Sequence, residues 1–156
     1  MATEAVVDSS VIVALVTLEK SSEWASKSVQ KYEYFHVLDL SFFEVANAIE
    51  QKVPEGLCSN DAALAFKQAE KMMNLYAVHN FSEVIVDALN KALELDIAVY
   101  DAAFLSLAEK LDAPLLTLDM GLSQKLETAK FNGLIECPAY KPNTEKSWRR
   151  RKDSNL

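Results

Sequence analysis

The chain has 156 residues, half of them hydrophobic, a quarter charged and only three glycines, which is the makeup of one compact domain. Disordered and collagen-like classes and a glycine-rich phosphate loop are excluded by that composition, and no apolar run reaches the roughly 20 residues of a membrane helix. The formal net charge is −7, but the last eleven residues hold Lys146, Arg149, Arg150, Arg151 and Lys152, so residues 1–145 carry 11 basic against 22 acidic side chains and offer no basic surface for a nucleic-acid duplex.

In chain order, the apolar run 4–7 ends at Asp8, passes Ser9 and Ser10, and continues as Val11 to Val16: strand, polar turn, helix. Trp24, Ala25, Ser28, Val29 and Tyr32 recur at three- and four-residue steps and predict a helix over 21–32, followed by a second strand over 35–40. Ser41 and Glu44 have the spacing of a capping box, opening a helix whose buried stripe is Phe42, Val45, Ala46 and Ile49. A helix over 61–73, a strand over 75–79 and a helix over 82–95 come next. Asp101 stands before an apolar helix that Pro114 closes from outside. Residues 115–118 form a strand ending at Asp119, then come a short helix through Leu126 and a last strand near 134–137.

Strands separated by helices imply an α/β fold with a mostly parallel sheet covered on both faces. The expected domain is 1–140. Residues 141–156 turn polar and basic and read as a mobile tail.

In such a sheet, ligands bind beyond the carboxyl ends of the strands, and four acids fall there: Asp8, Glu44, Asp101 and Asp119. Each has an ordinary use, Asp8 and Asp101 as helix caps, Asp119 in a turn, Glu44 closing the capping box. Brought together, however, they must bind protons or accept positive charge, and no Lys or Arg adjoins any of them in sequence. A hard divalent cation, Mg²⁺ or Mn²⁺, meets that need, and the chemistry it points to is phosphodiester hydrolysis. Asn47, three residues beyond Glu44, lies on the same helix face, and Thr117 points to the same side of its strand as Asp119.

Three stretches carry a family likeness in their usual order: Val6 to Ser10, Glu44 to Ile49, and Val99 to Glu109 followed by Pro114 to Asp119. In these the chain resembles the PIN domain. The resemblance implies a three-layer α/β/α nuclease fold and, for a single domain of this size, the endoribonuclease toxin of a VapBC-type toxin–antitoxin pair. It further implies an acidic metal site of Asp8, Glu44, Asp101 and Asp119, with Ser10, Asn47 and Thr117 in support, a homodimer, and a small antitoxin partner. Met120, Gly121 and Leu122 stand where some relatives place one more acid.

Several features fall outside that resemblance. Trp148 with Arg149, Arg150 and Arg151 can contact RNA, the indole stacking on an unpaired base. Cys58 and Cys137 lack metal or disulfide spacing and read as small buried side chains, and the N-terminus has no basic secretory start, so a cytoplasmic protein is expected. His36 and His79 lie in or beside strands with no partner visible in the sequence and read as structural. Phe42, Phe43, Phe66, Tyr76 and Phe104 read mostly as core. Competing functions are a PIN ribonuclease of rRNA maturation or RNA turnover without an antitoxin, a PIN-fold binding module that has lost catalysis, and a phosphorylation-dependent receiver domain, which lacks its paired acids here because Asp8 is followed by Ser9 and Ser10.

Overall fold

The computed structural model describes residues 3–126 and 131–138; Trp148, the arginine cluster and the expected tail lie outside them. Five strands form one sheet in the order β3-β2-β1-β4-β5: β1 (Glu4–Val7), β2 (Tyr34–Leu38), β3 (Ala77–His79), β4 (Leu115–Leu116) and β5 (Ile135–Glu136). Every strand pair is parallel. The crossovers are α1 (Ser9–Val16) with α2 (Ser22–Val29), α3 (Leu40–Gln51) with α4 (Ser59–Asn74), α5 (Ile85–Leu95) with α6 (Val99–Leu111), and α7 (Met120–Leu126). This is the expected α/β sandwich.

Alternation in β1 decides the layering. Ala5 and Val7 join Leu116 in one core with α1, α2, α3 and α4, whereas Val6 and Leu115 join α5 and α6 on the opposite face. Both faces of the central strands are apolar because both are covered, as parallel sheets require. Fully buried Val6, Val7, Leu115 and Leu116 each contribute about 1.5–3 kcal/mol through burial. Helix α6 goes further: residues 102–108 are all buried, so its first turn is held rigidly at the sheet edge by a helix packed on every side.

Strand order reverses between β1 and β4. At such a switch point the outgoing connections diverge and leave a crevice at the carboxyl edge of the sheet. The chain leaving β1 reaches α1 directly through Asp8, whose N–H donates to the Leu116 carbonyl (3.0 Å).

Several local expectations shift. Helix α1 begins at Ser9 rather than Val11, with Asp8 at its N-cap position but no cap bond from the Asp8 side chain; the backbone carbonyl of Asp8 takes the Val11 N–H instead. Helix α3 begins one residue before Ser41, so the capping box does not form: Ser41 is fully buried, its hydroxyl has no partner among the described residues, and Asp39 holds the N-cap position. Helix α6 begins at Val99, which puts Asp101 inside the first turn rather than at the cap. Cys58 is exposed and Cys137 half-buried, correcting the expectation of two buried thiols. Phe43 is 81 % exposed, because it sits on the outer face of α3, whereas Phe104 is buried.

Candidate active site

Asp8 is the centre of the carboxyl edge. Its carboxylate accepts from the Ser10 hydroxyl (2.6 Å) and the Thr117 hydroxyl (3.0 Å), both at Oδ2. Ser10 Oγ in turn accepts the Leu118 N–H (3.1 Å), and Thr117 Oγ1 accepts the Asp119 N–H (3.1 Å). These bonds stitch the start of α1 to the segment leaving β4 and orient one carboxylate oxygen firmly. Thr117 is buried, so its hydroxyl must find partners inside the protein, and the two backbone and side-chain contacts supply them.

Asp119 lies on the exposed rim, its Oδ1 accepting the Leu122 N–H (2.9 Å). Gly121 makes room for that arrangement: a Cβ there would stand 3.3 Å from Asp119 Oδ1. Glu44, on α3, accepts from the Ser9 hydroxyl (2.8 Å), not from its own helix terminus. Asn47 is exposed one turn further along α3.

The four acids feel one another. Burial pushes the Asp8 carboxyl up, with the Asp119 charge adding to it and the Ser10 and Thr117 hydroxyls opposing it. Glu44 is pushed up to about 7, first by burial and then by the charges of Asp8 and Asp101, against the Ser9 bond. Asp101 rises to about 6 through burial and the charges of Asp119 and Asp8. Even the half-buried Cys137 thiol, raised to about 11 mainly by burial, senses Asp119.

Among the described residues none of the four acids forms a salt bridge. One cation is near: the Lys125 charge opposes the rise at Asp101, while its ammonium donates to the Asp96 carbonyl (2.6 Å). A set of carboxylates that raise one another, without a paired cation, has the donor chemistry of a hard divalent ion. As the side chains stand, no three His, Cys, Asp or Glu among the described residues come close enough to share an ion, so the four acids form an electrostatic cluster rather than a closed chelate.

Sequence reasoning missed three contributors. Ser9, in sequence only part of a polar turn, holds Glu44 across 35 residues; Lys125 lies in a helix remote from Asp101 in sequence; Gly121 is defined by what a side chain would displace. Only Gly121 left a local signal, as a glycine inside a short helix.

The comparisons agree with this architecture. The PIN domain family model matches residues 5–125. Ribonuclease VapC3 from Pyrobaculum aerophilum is 40% identical over 121 residues, covering 77% of this chain and 92% of the relative. Among solved structures, a toxin-antitoxin complex from Klebsiella pneumoniae superposes with a TM-score of 0.64 at 12% identity, over 88% of this chain and 99% of that one. The crystal structure of PAE2754 from Pyrobaculum aerophilum gives a TM-score of 0.57 at 26% identity, over 80% of this chain and 81% of that one. The family model spans most of the chain and the 40%-identical relative is covered nearly end to end, and the protein belongs to the PIN domain family.

Proposed function

We propose that this protein is a divalent-metal-dependent endoribonuclease, the toxin of a VapBC-type toxin–antitoxin pair. The observation that carries the reading is the gathering of Asp8, Glu44, Asp101 and Asp119 at one sheet edge, mutually repelling and without a salt bridge among the described residues. The similarity to a protein named Ribonuclease VapC3 supports RNA as substrate, and a small antitoxin is the partner that follows from that likeness.

Asp8 and Asp119 would hold Mg²⁺ or Mn²⁺, with Asp101 completing the set directly or through water and Glu44 reaching a second ion or a water. When bound, such ions polarise a phosphoryl oxygen and lower the pKa of a coordinated water. The chain's own part is positional and electrostatic. Ser10 and Thr117 fix Asp8 by committing its Oδ2 to two hydroxyl donors. Ser9 restrains Glu44, whose carboxyl, pushed up to about 7, is matched to taking a proton from water near neutral pH. Asn47, on the outer face of α3, is suited to donate to a substrate phosphate, and the expected stacking of Trp148 with Arg149, Arg150 and Arg151 on the strand belongs to the same proposal. A homodimer in the cytoplasm completes it; no helix among the described residues is long and apolar enough to cross a membrane.

The test is cleavage of a structured RNA with Mg²⁺, Mn²⁺ or EDTA, beside Asp8→Asn and Asp119→Asn. Metal-dependent cleavage that falls by at least about a hundredfold in each variant is expected, since loss of a ligand outweighs the 10–100-fold typical of an outer-shell change. Cleavage that persists in EDTA, or survives both substitutions, overturns the mechanism. Cleavage with no antitoxin-like protein co-purifying from the native host favours RNA maturation or turnover over a toxin role.

A further inference from the structure

Lysine is scarce where this chain gathers its acids. Among the described residues, Lys27, Lys31, Lys52 and Lys91 each meet a carboxylate other than those four, and only Lys125 acts on any of the raised acids of the carboxyl edge. Its position is built from that edge. Helix α7 leaves Asp119, which takes the Leu122 N–H at Oδ1 (2.9 Å) and the Ser123 N–H at its backbone carbonyl (3.1 Å). Leu122 and Leu126 are buried in one cluster with Leu105 of α6, which fixes the roll of the helix and leaves Lys125 exposed beside Leu126. The ammonium then donates to the Asp96 carbonyl (2.6 Å), at the left-handed residue that ends α5, in the turn just ahead of the helix that carries Asp101. Lys125 therefore spans the two segments that hold Asp119 and Asp101.

The bond to Asp96 is a resting contact, not an ion pair. An ammonium has three donors and a compact full charge; here it meets a neutral carbonyl on an exposed residue, and among the described residues no carboxylate pairs with it. Such a bond exchanges with water at little net cost, whereas the same donors on a phosphate oxygen make charge-assisted bonds about twice as strong as neutral ones. Topology supplies the rest. Helix α3 follows β2, Asp8 follows β1 and α7 follows β4, and these three strands are neighbours. Asn47 and Lys125 thus belong to opposite flanks of Asp8, on helices rooted two strand spacings, or about 10 Å, apart. A polyanion laid across four acids is repelled except where cations meet it, and α7 offers one.

We propose that Lys125 binds a backbone phosphate of single-stranded RNA next to the bond to be cut, so that the strand crosses the edge from α3 to α7. The inference rests on the ribonuclease reading and adds to it the path of the substrate. The phosphate at the bond to be cut falls to the metal ions held by the acids; Lys125 neutralises its neighbour on the β4 side. One cation suits one backbone. A duplex brings a second backbone to the same acids, and no other lysine among the described residues acts on them.

The test is binding of a short unstructured RNA to the full chain carrying Asp8→Asn, read by fluorescence anisotropy in Mg²⁺ between about 50 and 200 mM salt, with Lys125→Met, Lys125→Arg and Lys110→Met added in turn. Lys110 is exposed in the last turn of α6, so its substitution removes the same charge at the far end of that helix from Asp101. Lys125→Met should weaken binding by about tenfold at the lowest salt and reduce the slope of log affinity against log salt by about 0.7, the contribution of one single-strand phosphate. Lys125→Arg should keep both, and Lys110→Met should leave the slope unchanged. A duplex of the same sequence should bind more weakly and be indifferent to Lys125→Met. With Asp8 intact, Lys125→Met should raise KM for cleavage. Because binding is read without cleavage, a native chain that cuts no RNA overturns the ribonuclease reading and still leaves the salt slope to decide on Lys125. An unchanged slope in Lys125→Met, or an equal loss in Lys110→Met, would overturn the phosphate contact, and a duplex that loses as much affinity as the single strand would overturn the substrate class.

Discussion

Two groups of acids in this molecule are neutralised in opposite ways. On the α5/α6 face, Asp87 and Glu109 share Lys91, whose ammonium is 2.6 Å from one carboxylate and 2.9 Å from the other and lies 5.7 Å from the Phe131 ring. Lys91 is only 6 % exposed, and burial alone would depress its pKa; the two acids reverse that and hold it raised. At the carboxyl edge, Asp8, Glu44, Asp101 and Asp119 have hydroxyl and backbone donors but no salt bridge among the described residues, and three of them are raised instead. The first cluster is complete within the chain and serves folding. The second stays short of positive charge, which is the condition for binding a cation and an anionic substrate through it.

That contrast breaks first under substitution. Removing the repelled charge with Asp8→Asn should abolish cleavage while leaving the metal-free thermal midpoint unchanged or higher, whereas an acid held for stability would lower it. The opposite holds for Lys91→Ala, which strands two partly exposed carboxylates and removes a buried stem; a loss of about 1–3 kcal/mol is expected in denaturant unfolding, below the range for a wholly buried pair because both acids reach solvent. RNA cleavage by the refolded variant should stay near its normal level.

Thr117→Val sharpens the comparison inside the acidic edge. The substitution keeps the packing but removes the donor to Asp8 and the acceptor for the Asp119 N–H, so metal affinity read from the Mg²⁺ dependence of cleavage should weaken by about tenfold. An unchanged Mg²⁺ dependence would show that Asp8 needs no such restraint.

A smaller effect follows from protonation. Glu44 and Asp101 rise from 4.5 and 3.8 to about 7 and about 6 on folding. The native state therefore binds more protons than the unfolded chain between about pH 4 and 7, and its stability falls as pH rises through that window before levelling above it. In EDTA the melting temperature should decline over this range; above pH 7, Mg²⁺ should restore it, because the deprotonated acids bind the ion. Glu44→Gln should flatten part of the slope. A profile that rises with pH after correction for the remaining acids would contradict the repulsion.

The smallest effect is expected at Ser41. If it capped α3, Ser41→Ala would cost about 1 kcal/mol; with its buried hydroxyl unpartnered among the described residues, the variant should differ by less than about 0.5 kcal/mol in urea unfolding.

The capping box shows where local reading failed. Ser41 and Glu44 have the right spacing, but α3 starts at Leu40, and Glu44 turns to Ser9 on another helix. A cap worth about 1 kcal/mol yields readily to packing and to a cross-chain hydrogen bond. The same limit applied to His36 and His79, whose contact depends on strand register across 43 residues, and to Phe43, whose helix position sets it outward.

What the amino-acid sequence determined by itself was the alternation of strand and helix, the parallel sheet, and the placing of Asp8, Asp101 and Asp119 where strands end and helices begin. Those follow from hydrophobic periodicity and from polar residues at element boundaries, which are properties of neighbours along the chain. Only the tertiary structure decided that β1 and β4 lie side by side, that Thr117 and Ser10 clasp Asp8, and that the acids raise one another while Lys91 quiets another pair. The reason is physical: charge interactions depend on distance and burial in space, and neither is encoded in the spacing of residues along a strand or helix.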